Sequence, residues 1–425
     1  MLNAGQQLEL DIEKPAAGGR MIARHEGQIV LVMGAIPGER VLARIEKADR
    51  QLAFASTVDV LKPSSDRREP YVDPLCGGCL YAHISYARQL LVKADVIVDA
   101  FVRLGRLAAP SVEVQASPEH GYRMRGRLYV DDGRAGFYRE GSHSLCDAAS
   151  TRLLTDEAVA SATRVADALL QLGLVVKSVE VSENLDGIER ALHVEAPSSA
   201  RLEGSALAAL TRSHGLTGCT VRTADGLIAA LDPAVSDPLE TLTTGRATRG
   251  VLRRSVQSFF QANRFLLPSL VTAVMDAVPG EGEVLDLYAG VGLFSVALAG
   301  IGRTQITAVE GDRSGSADLV ENAAQFSGAI TAVRDSVESY LTGTRNVRAR
   351  TVIVDPPRTG ISRAAMGMVA SHGADRIIYV SCDPATMARD ARRLVDAGYA
   401  LESMRAFDLF PNTPHVETLA VFAKG

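Results

Sequence analysis

From residue 261 onward this 425-residue chain alternates short apolar runs with helical periodicity. Residues 283–288, 305–310, 351–355 and 376–381 read as strands, and residues 293–300 and 314–327 as helices between them. No other feature restricts the fold as much. Parallel strands can be joined only through a crossover, and crossovers that pass as helices over both faces bury the sheet between them. The reading is a doubly wound, largely parallel α/β sheet. Ligands of such sheets sit outside the carboxyl ends of the strands, so the residues that close each run are the first to examine.

The run Val284-Leu285-Asp286-Leu287-Tyr288 leads into Ala289-Gly290-Val291-Gly292-Leu293-Phe294-Ser295, a glycine turn followed by a helix start. Glycine lets a backbone approach a ligand closely, and a helix N-terminus offers free N–H groups. Twenty residues after Gly290, Glu310 closes the next run, where a carboxylate can accept bonds from two ribose hydroxyls. Turn plus acid describes a nucleoside site, and a lone G-x-G does not by itself name the cofactor. A third run ends in Asp355-Pro356-Pro357-Arg358. Proline cannot donate to a ladder, so the strand stops there and its end stays open. A fourth run, Tyr379-Val380-Ser381-Cys382-Asp383-Pro384, delivers a thiol to a turn. At a strand end Cys382 can be ionised and reached, whereas in the core it would be a small inert residue.

The front of the chain has a different rhythm. Residues 7–61 hold short β-rich runs at 8–12, 28–32, 40–45 and 52–55, punctuated by Gly18-Gly19, Gly27 and Pro37-Gly38, which reads as a small antiparallel barrel. Residues 62–66 form a linker. Beyond them, helical spacing predicts helices over 85–104 and 155–172 inside an α+β region. Three domains follow: 1–62, 63–250 and 251–425. A hydrophobic fraction of 47% and a charged fraction of 22% are those of a soluble globular protein. No apolar stretch approaches the roughly 18 residues of a membrane span. Residues 1–14 lack the basic and apolar regions of a secretory signal, so the expectation is a cytoplasmic protein without membrane contact. Five cysteines, an odd count, argue against a disulfide framework. A net charge of -5 excludes wholesale coating by nucleic acid but leaves room for local basic patches.

Five segments, taken in order, carry a family resemblance: Ser258-Phe259-Phe260-Gln261-Ala262-Asn263, residues 285–294, Asp355-Pro356-Pro357-Arg358, Ser381-Cys382-Asp383-Pro384, and Pro414-His415-Val416-Glu417-Thr418. Together they are similar to the RNA uracil-5 methyltransferases that make 5-methyluridine in transfer or ribosomal RNA, and the likeness spans nearly the whole chain. It implies a Rossmann-like catalytic domain of the S-adenosylmethionine-dependent type. The first domain would be a TRAM module, an OB-like RNA-binding barrel. By the same resemblance Gln261, Tyr288, Gly290, Glu310, Asp335 and Asp355 hold S-adenosylmethionine, Cys382 is the nucleophile, and Glu417 is the general base with His415 as its competitor. Some relatives carry Asn where this chain has Leu293, and an apolar side chain cannot replace that hydrogen bond. Amino-methyltransferases follow acid-Pro-Pro with an aromatic residue; Arg358 in that place points away from an adenine amino group.

RNA is the implied partner, with no protein partner indicated. Arg123, Arg125 and Arg127 alternate, so on a strand they share one face suited to phosphates. The rival readings are a methyltransferase of another RNA target, such as cytosine C5, and a non-catalytic RNA-binding protein that keeps the fold. Cys76, Cys79 and Cys146 resemble the iron-sulfur site of several family members, which use four cysteines. This chain supplies three, with Asp73 the nearest substitute, and a 4Fe-4S cluster, a zinc ion and no metal all stay open. Cys219 is too isolated to assign.

Overall fold

The computed structural model describes residues 2–108, 112–198, 200–343 and 349–425. Its first unit is a six-stranded sheet in the order Gln7–Asp11, Arg40–Ala48, Leu52–Lys62, Gln28–Met33, Met21–His25, Lys14–Pro15. All pairs are antiparallel except Gln28–Met33 with Leu52–Lys62. The Glu13 amide donates to the Ile22 carbonyl, so the first strand's end meets the far edge and the sheet curls into a barrel. Alternation decides its inside: Val30, Val32, Val41, Ala43, Ile45, Ala53 and Ala55 are buried, as the two-residue period of a strand requires. Met21–His25 and the two-residue Lys14–Pro15 are strands the sequence did not announce. In the former, the buried residues Met21 to Ala23 are consecutive, so they show no alternation.

The middle region is a seven-stranded sheet running from Leu145–Asp147 through Arg134–Tyr138, Arg125–Asp131, Ser178–Glu183, Arg190–Glu195 and Gly218–Thr223 to Gly226–Leu231. Helix Asp156–Gln171 starts where its cap dictates: the Thr155 hydroxyl accepts from the Ala158 amide, and two acids fill the first turn. Val165 and Leu169 of this helix share a core with Val179, Val181, Leu192, Val194 and Cys219. Cys219 is fully buried and burial pushes its thiol up to about 12, which assigns it to packing.

Helix Tyr86–Ala100 departs from the expected division. Its Ile97 and Ala100, with Phe101, pack with Leu285, Leu287 and Tyr379 of the last sheet and with Leu394 of the helix Pro384–Asp396 that covers it, and Val114–Gln115 extends that sheet's edge. Periodicity shows which face of a helix is buried, not which sheet buries it. That last sheet has eight strands, ordered Ile330–Arg334, Ile306–Glu310, Val284–Leu287, Thr351–Val354, Arg376–Ser381, Glu417–Lys424, Tyr399–Phe407, Val114–Gln115. The first five are mutually parallel, and Glu417–Lys424 enters antiparallel. From Val284–Leu287 the chain winds outward to Ile330–Arg334 and then returns to the other side at Thr351–Val354, which opens a crevice at that switch point. Separate apolar cores cover the two faces. Among the described residues no helix is long and apolar enough to cross a membrane.

Candidate active site

The carboxyl ends of the central strands bring the expected cofactor residues to one edge. Gly290 and Gly292 have φ values of 57° and 92°. A Cβ at Gly292 would also lie 2.8 Å from Leu319 Cδ1, so the turn needs glycine there on both counts. Tyr288 is held at φ 62°, a left-handed conformation that costs energy in a bulky residue and recurs at ligand sites. Glu310 faces the turn: Oε2 accepts from the Gly290 amide at 2.7 Å and Oε1 from the Asp312 amide at 2.5 Å. Gln261 Nε2 lies 3.4 Å from Asp355 Oδ2. Asp335 follows the Ile330–Arg334 strand and accepts from the Ser336 amide at 2.8 Å.

Asp286 is the site residue that sequence reasoning passed over. It is fully buried; its Oδ2 accepts from Ser295 Oγ at 2.5 Å, and its Oδ1 has no partner among the described residues. Burial pushes its pKa up to about 7. An unpartnered carboxylate oxygen inside a protein is costly and marks where a ligand donor belongs. The signal was available, an acid in the middle of an apolar strand ahead of a glycine turn. S-adenosylmethionine fits this edge: it carries ammonium and hydroxyl donors for Asp286, Asp355 and Glu310. Leu293 is buried in the core and offers that cofactor nothing polar.

Beside this edge the chain assembles a second cluster. Arg376–Ser381 and Glu417–Lys424 pair in a register that sets Ser381 opposite Thr418, and Thr418 Oγ1 donates to the Ser381 carbonyl at 2.9 Å. Cys382 and Glu417 are the residues next to that last pair, and the Glu417 charge acts on the thiol. The thiol is half-buried, and burial together with the Glu417 carboxylate pushes it up to about 12, while a hydrogen bond and the charge of Arg358 pull it down. Glu417 is buried and held well above the usual carboxylate range by desolvation and by Asp355, against Arg358. His415 is driven down to about 4 by burial and by Arg358, Lys93 and Arg123. A neutral imidazole with so low a pKa is a weak base, whereas a raised carboxylate suits proton abstraction.

The three arginines separate. Register places Arg127 opposite Glu180, and that carboxylate receives both Arg127, at 3.1 Å, and Arg125. Arg123 instead lies over the Phe410 ring, 5.7 Å from its centroid, and its charge bears on His415. Phe259, next to Arg125, is 70% exposed, an aromatic surface that the sequence motif contains but does not reveal as open.

The cysteine expectation is corrected. Cys76 and Cys146 form a disulfide, because the bridge from Cys76 to Arg139 lays that loop beside the strand carrying Cys146. An odd count argues against a framework but permits one pair. Cys79 is fully buried, its thiol pushed up to about 11 by burial while Tyr71 hydrogen-bonds to it. Asp73 is turned to Arg139 at 2.7 Å. Among the described residues no group of three or more His, Cys, Asp or Glu is placed to hold a metal ion, so these side chains do not fit a four-ligand cluster.

A glycine turn, an acid at the end of the next strand and open strand ends at the switch point make a site of the nucleoside-cofactor kind. Residues 240–424 match the tRNA (uracil-5-)-methyltransferase family and residues 2–58 the TRAM domain. An uncharacterised RNA methyltransferase of Streptomyces avermitilis is 32% identical over 99% of this chain and 100% of its own. A 23S ribosomal RNA uracil-1939 C5-methyltransferase of Alkalilimnicola ehrlichii is 31% identical over 99% and 97%. The tRNA uracil-54 C5-methyltransferase of Pyrococcus abyssi, solved with S-adenosyl-L-homocysteine, shares the fold with a TM-score of 0.74 across 98% of this chain and 100% of that one, at 20% identity. This chain belongs to the RNA uracil-5 methyltransferase family and is an S-adenosylmethionine-dependent enzyme.

Proposed function

We propose that this enzyme methylates C5 of a uridine in RNA through a covalent adduct on Cys382, with Glu417 as the general base. The observation that supports the reading is that Cys382 and Glu417 follow directly on the last pair of their two strands, Ser381 with Thr418, and that the buried Glu417 carboxylate acts on the thiol. Uracil C5 is a poor carbon nucleophile. The Cys382 thiol first gives up its proton to water, and addition of the thiolate to C6 breaks the C5=C6 double bond and moves its electrons toward the C4 oxygen, so that the resulting enolate makes C5 nucleophilic. S-adenosylmethionine, when bound, supplies the electrophilic methyl group. Glu417 then takes the proton left on C5, the double bond re-forms, and sulfur departs as thiolate. Arg358 supports that thiolate at both ends of the cycle.

A base inside a stack cannot reach the thiol, so the target must be splayed out of its loop. Phe259 offers a face for a neighbouring base and Arg123 a cation beside the pocket, while Arg125 and Arg127 contribute what Glu180 leaves of their charge. Ribosomal RNA is the first substrate to test, because the full-length relative from Alkalilimnicola ehrlichii acts on it at 31% identity. Incubation of the protein with S-adenosylmethionine and 23S ribosomal RNA, followed by nucleoside digestion, is expected to yield 5-methyluridine. Formation of 5-methylcytidine, or no product on ribosomal or transfer RNA, would overturn the proposal.

A further inference from the structure

The loop between the strands Tyr399–Phe407 and Glu417–Lys424 carries His415 and leads directly into Glu417, and residues from the front of the chain hold it in place. Asn412 is the knot. It is fully buried at φ 63°, and each of its polar atoms is bonded. Its Oδ1 accepts from Arg68 Nη2 at 2.8 Å and from Gln89 Nε2 at 2.9 Å, and its amide donates to Gln89 Oε1 at 2.9 Å. Its Nδ2 donates to Tyr71 Oη at 3.3 Å, and its carbonyl accepts from the Tyr81 amide at 2.8 Å. Lys93, one turn beyond Gln89 on the same helix face, bonds Asp408 at 2.5 Å and the Phe410 carbonyl at 3.1 Å.

Between Asn412 and Glu417 the chain has little freedom. Thr413 Oγ1 donates to the Phe410 carbonyl at 2.7 Å and accepts from the His415 amide at 3.2 Å. Pro414 fixes its own φ and sits against the barrel, where a Cβ at Gly19 would meet Pro414 Cγ at 3.1 Å. The position of the base is therefore set by residues more than 300 positions away in sequence, and Tyr71 continues the link to the buried Cys79 thiol.

We infer that Asn412 is a positioning residue: by locking this loop to helix Tyr86–Ala100 and to Tyr71 it holds Glu417 where it removes the C5 proton. The inference rests on the reading of Glu417 as the base. Glycine tolerates the left-handed backbone of this position, so Asn412→Gly removes the three side-chain bonds without straining the chain. Misplacement of a catalytic group by about 1 Å costs on the order of a hundred-fold in rate.

The test uses the full chain with S-adenosylmethionine and uridine RNA, and reads three quantities: turnover, the covalent RNA adduct at steady state, and S-adenosylmethionine binding. For Asn412→Gly the expected result is turnover lowered by about a hundred-fold, an accumulated adduct, and unchanged cofactor binding. Asn412→Asp keeps both acceptor bonds and is expected to retain most of the turnover. Wild-type turnover by Asn412→Gly, or loss of adduct and cofactor binding together with turnover, overturns the inference. If Asn412→Gly does not fold, Gln89→Met, which removes the two bonds from the helix side, must show the same split, and wild-type turnover by it is equally contrary. Glu417→Gln run in parallel separates the two readings. If it traps no adduct, the assignment of the base falls, whatever Asn412 does.

Discussion

Two regions of this molecule present free thiols of nearly equal intrinsic chemistry in different surroundings. Cys79 is sealed under Tyr71, next to the Cys76–Cys146 disulfide. Cys382 stands half-buried at a strand end with Arg358 on one side and Glu417 on the other. Both thiols are pushed upward by burial, so acidity in the resting protein does not tell them apart. Access and charged company do. Arg123 and Asp73 act on Cys79 only through their charge, whereas Cys382 is less deeply buried and also receives a hydrogen bond from Arg358, the company the proposed nucleophile needs.

The largest effect should come from the thiol itself. Cys382→Ala is expected to lower methyl transfer to RNA by about four orders of magnitude or more, the scale of losing a covalent nucleophile, while S-adenosylmethionine binding by calorimetry persists. Residual turnover near wild type would place Cys382 with Cys79 as a structural residue. Glu417→Gln should cost roughly a hundred- to ten-thousand-fold and leave an RNA adduct visible on a denaturing gel.

A third prediction concerns the acids rather than the thiols. Asp286 has its pKa raised from 3.8 to about 7, so its protonated form favours the fold. That stability is fully present below the unfolded pKa and is lost as pH rises through the folded one. Unfolding of the cofactor-free enzyme should thus become easier from about pH 4 to about pH 7, by up to a few kcal/mol. Asp286→Asn should flatten that slope in denaturant titrations, and an unchanged slope would mean the acid is already ionised in the fold. The smallest effect on catalysis belongs to the other cysteine region. Cys76→Ser opens a loop of 70 residues and should reduce stability by at most about 4 kcal/mol, with turnover per folded molecule unchanged. A parallel loss of turnover would erase the contrast between the two regions.

How much of this was legible in the sequence follows the distance over which each feature is built. The cofactor edge is local: a strand, its glycine turn and the next strand's terminal acid lie within 284–310, so period and spacing reveal them. The juxtaposition of Cys382 with Glu417 spans 35 residues and depends on one antiparallel strand joining a parallel sheet. Motif resemblance supplied it, because no periodicity announces the direction of pairing. Asn412 was illegible for the same reason carried further, since its partners Arg68, Tyr71 and Gln89 lie in the first quarter of the chain. The arginines show the opposite error. Alternation gave Arg125 and Arg127 their common face, but Glu180, which faces them across the sheet, could not be seen from one strand alone.

The central claim is that sulfur of Cys382 bonds to carbon 6 of the target uracil. It is tested most directly by incubating the enzyme with S-adenosylmethionine and RNA carrying 5-fluorouridine, then locating the adduct by peptide mass spectrometry. Fluorine cannot leave C5 as a proton does, so the account predicts a stable complex whose nucleotide and added methyl map to the peptide containing Cys382, and none with Cys382→Ala. A methylated product released without any adduct, or an adduct on another residue, would contradict it.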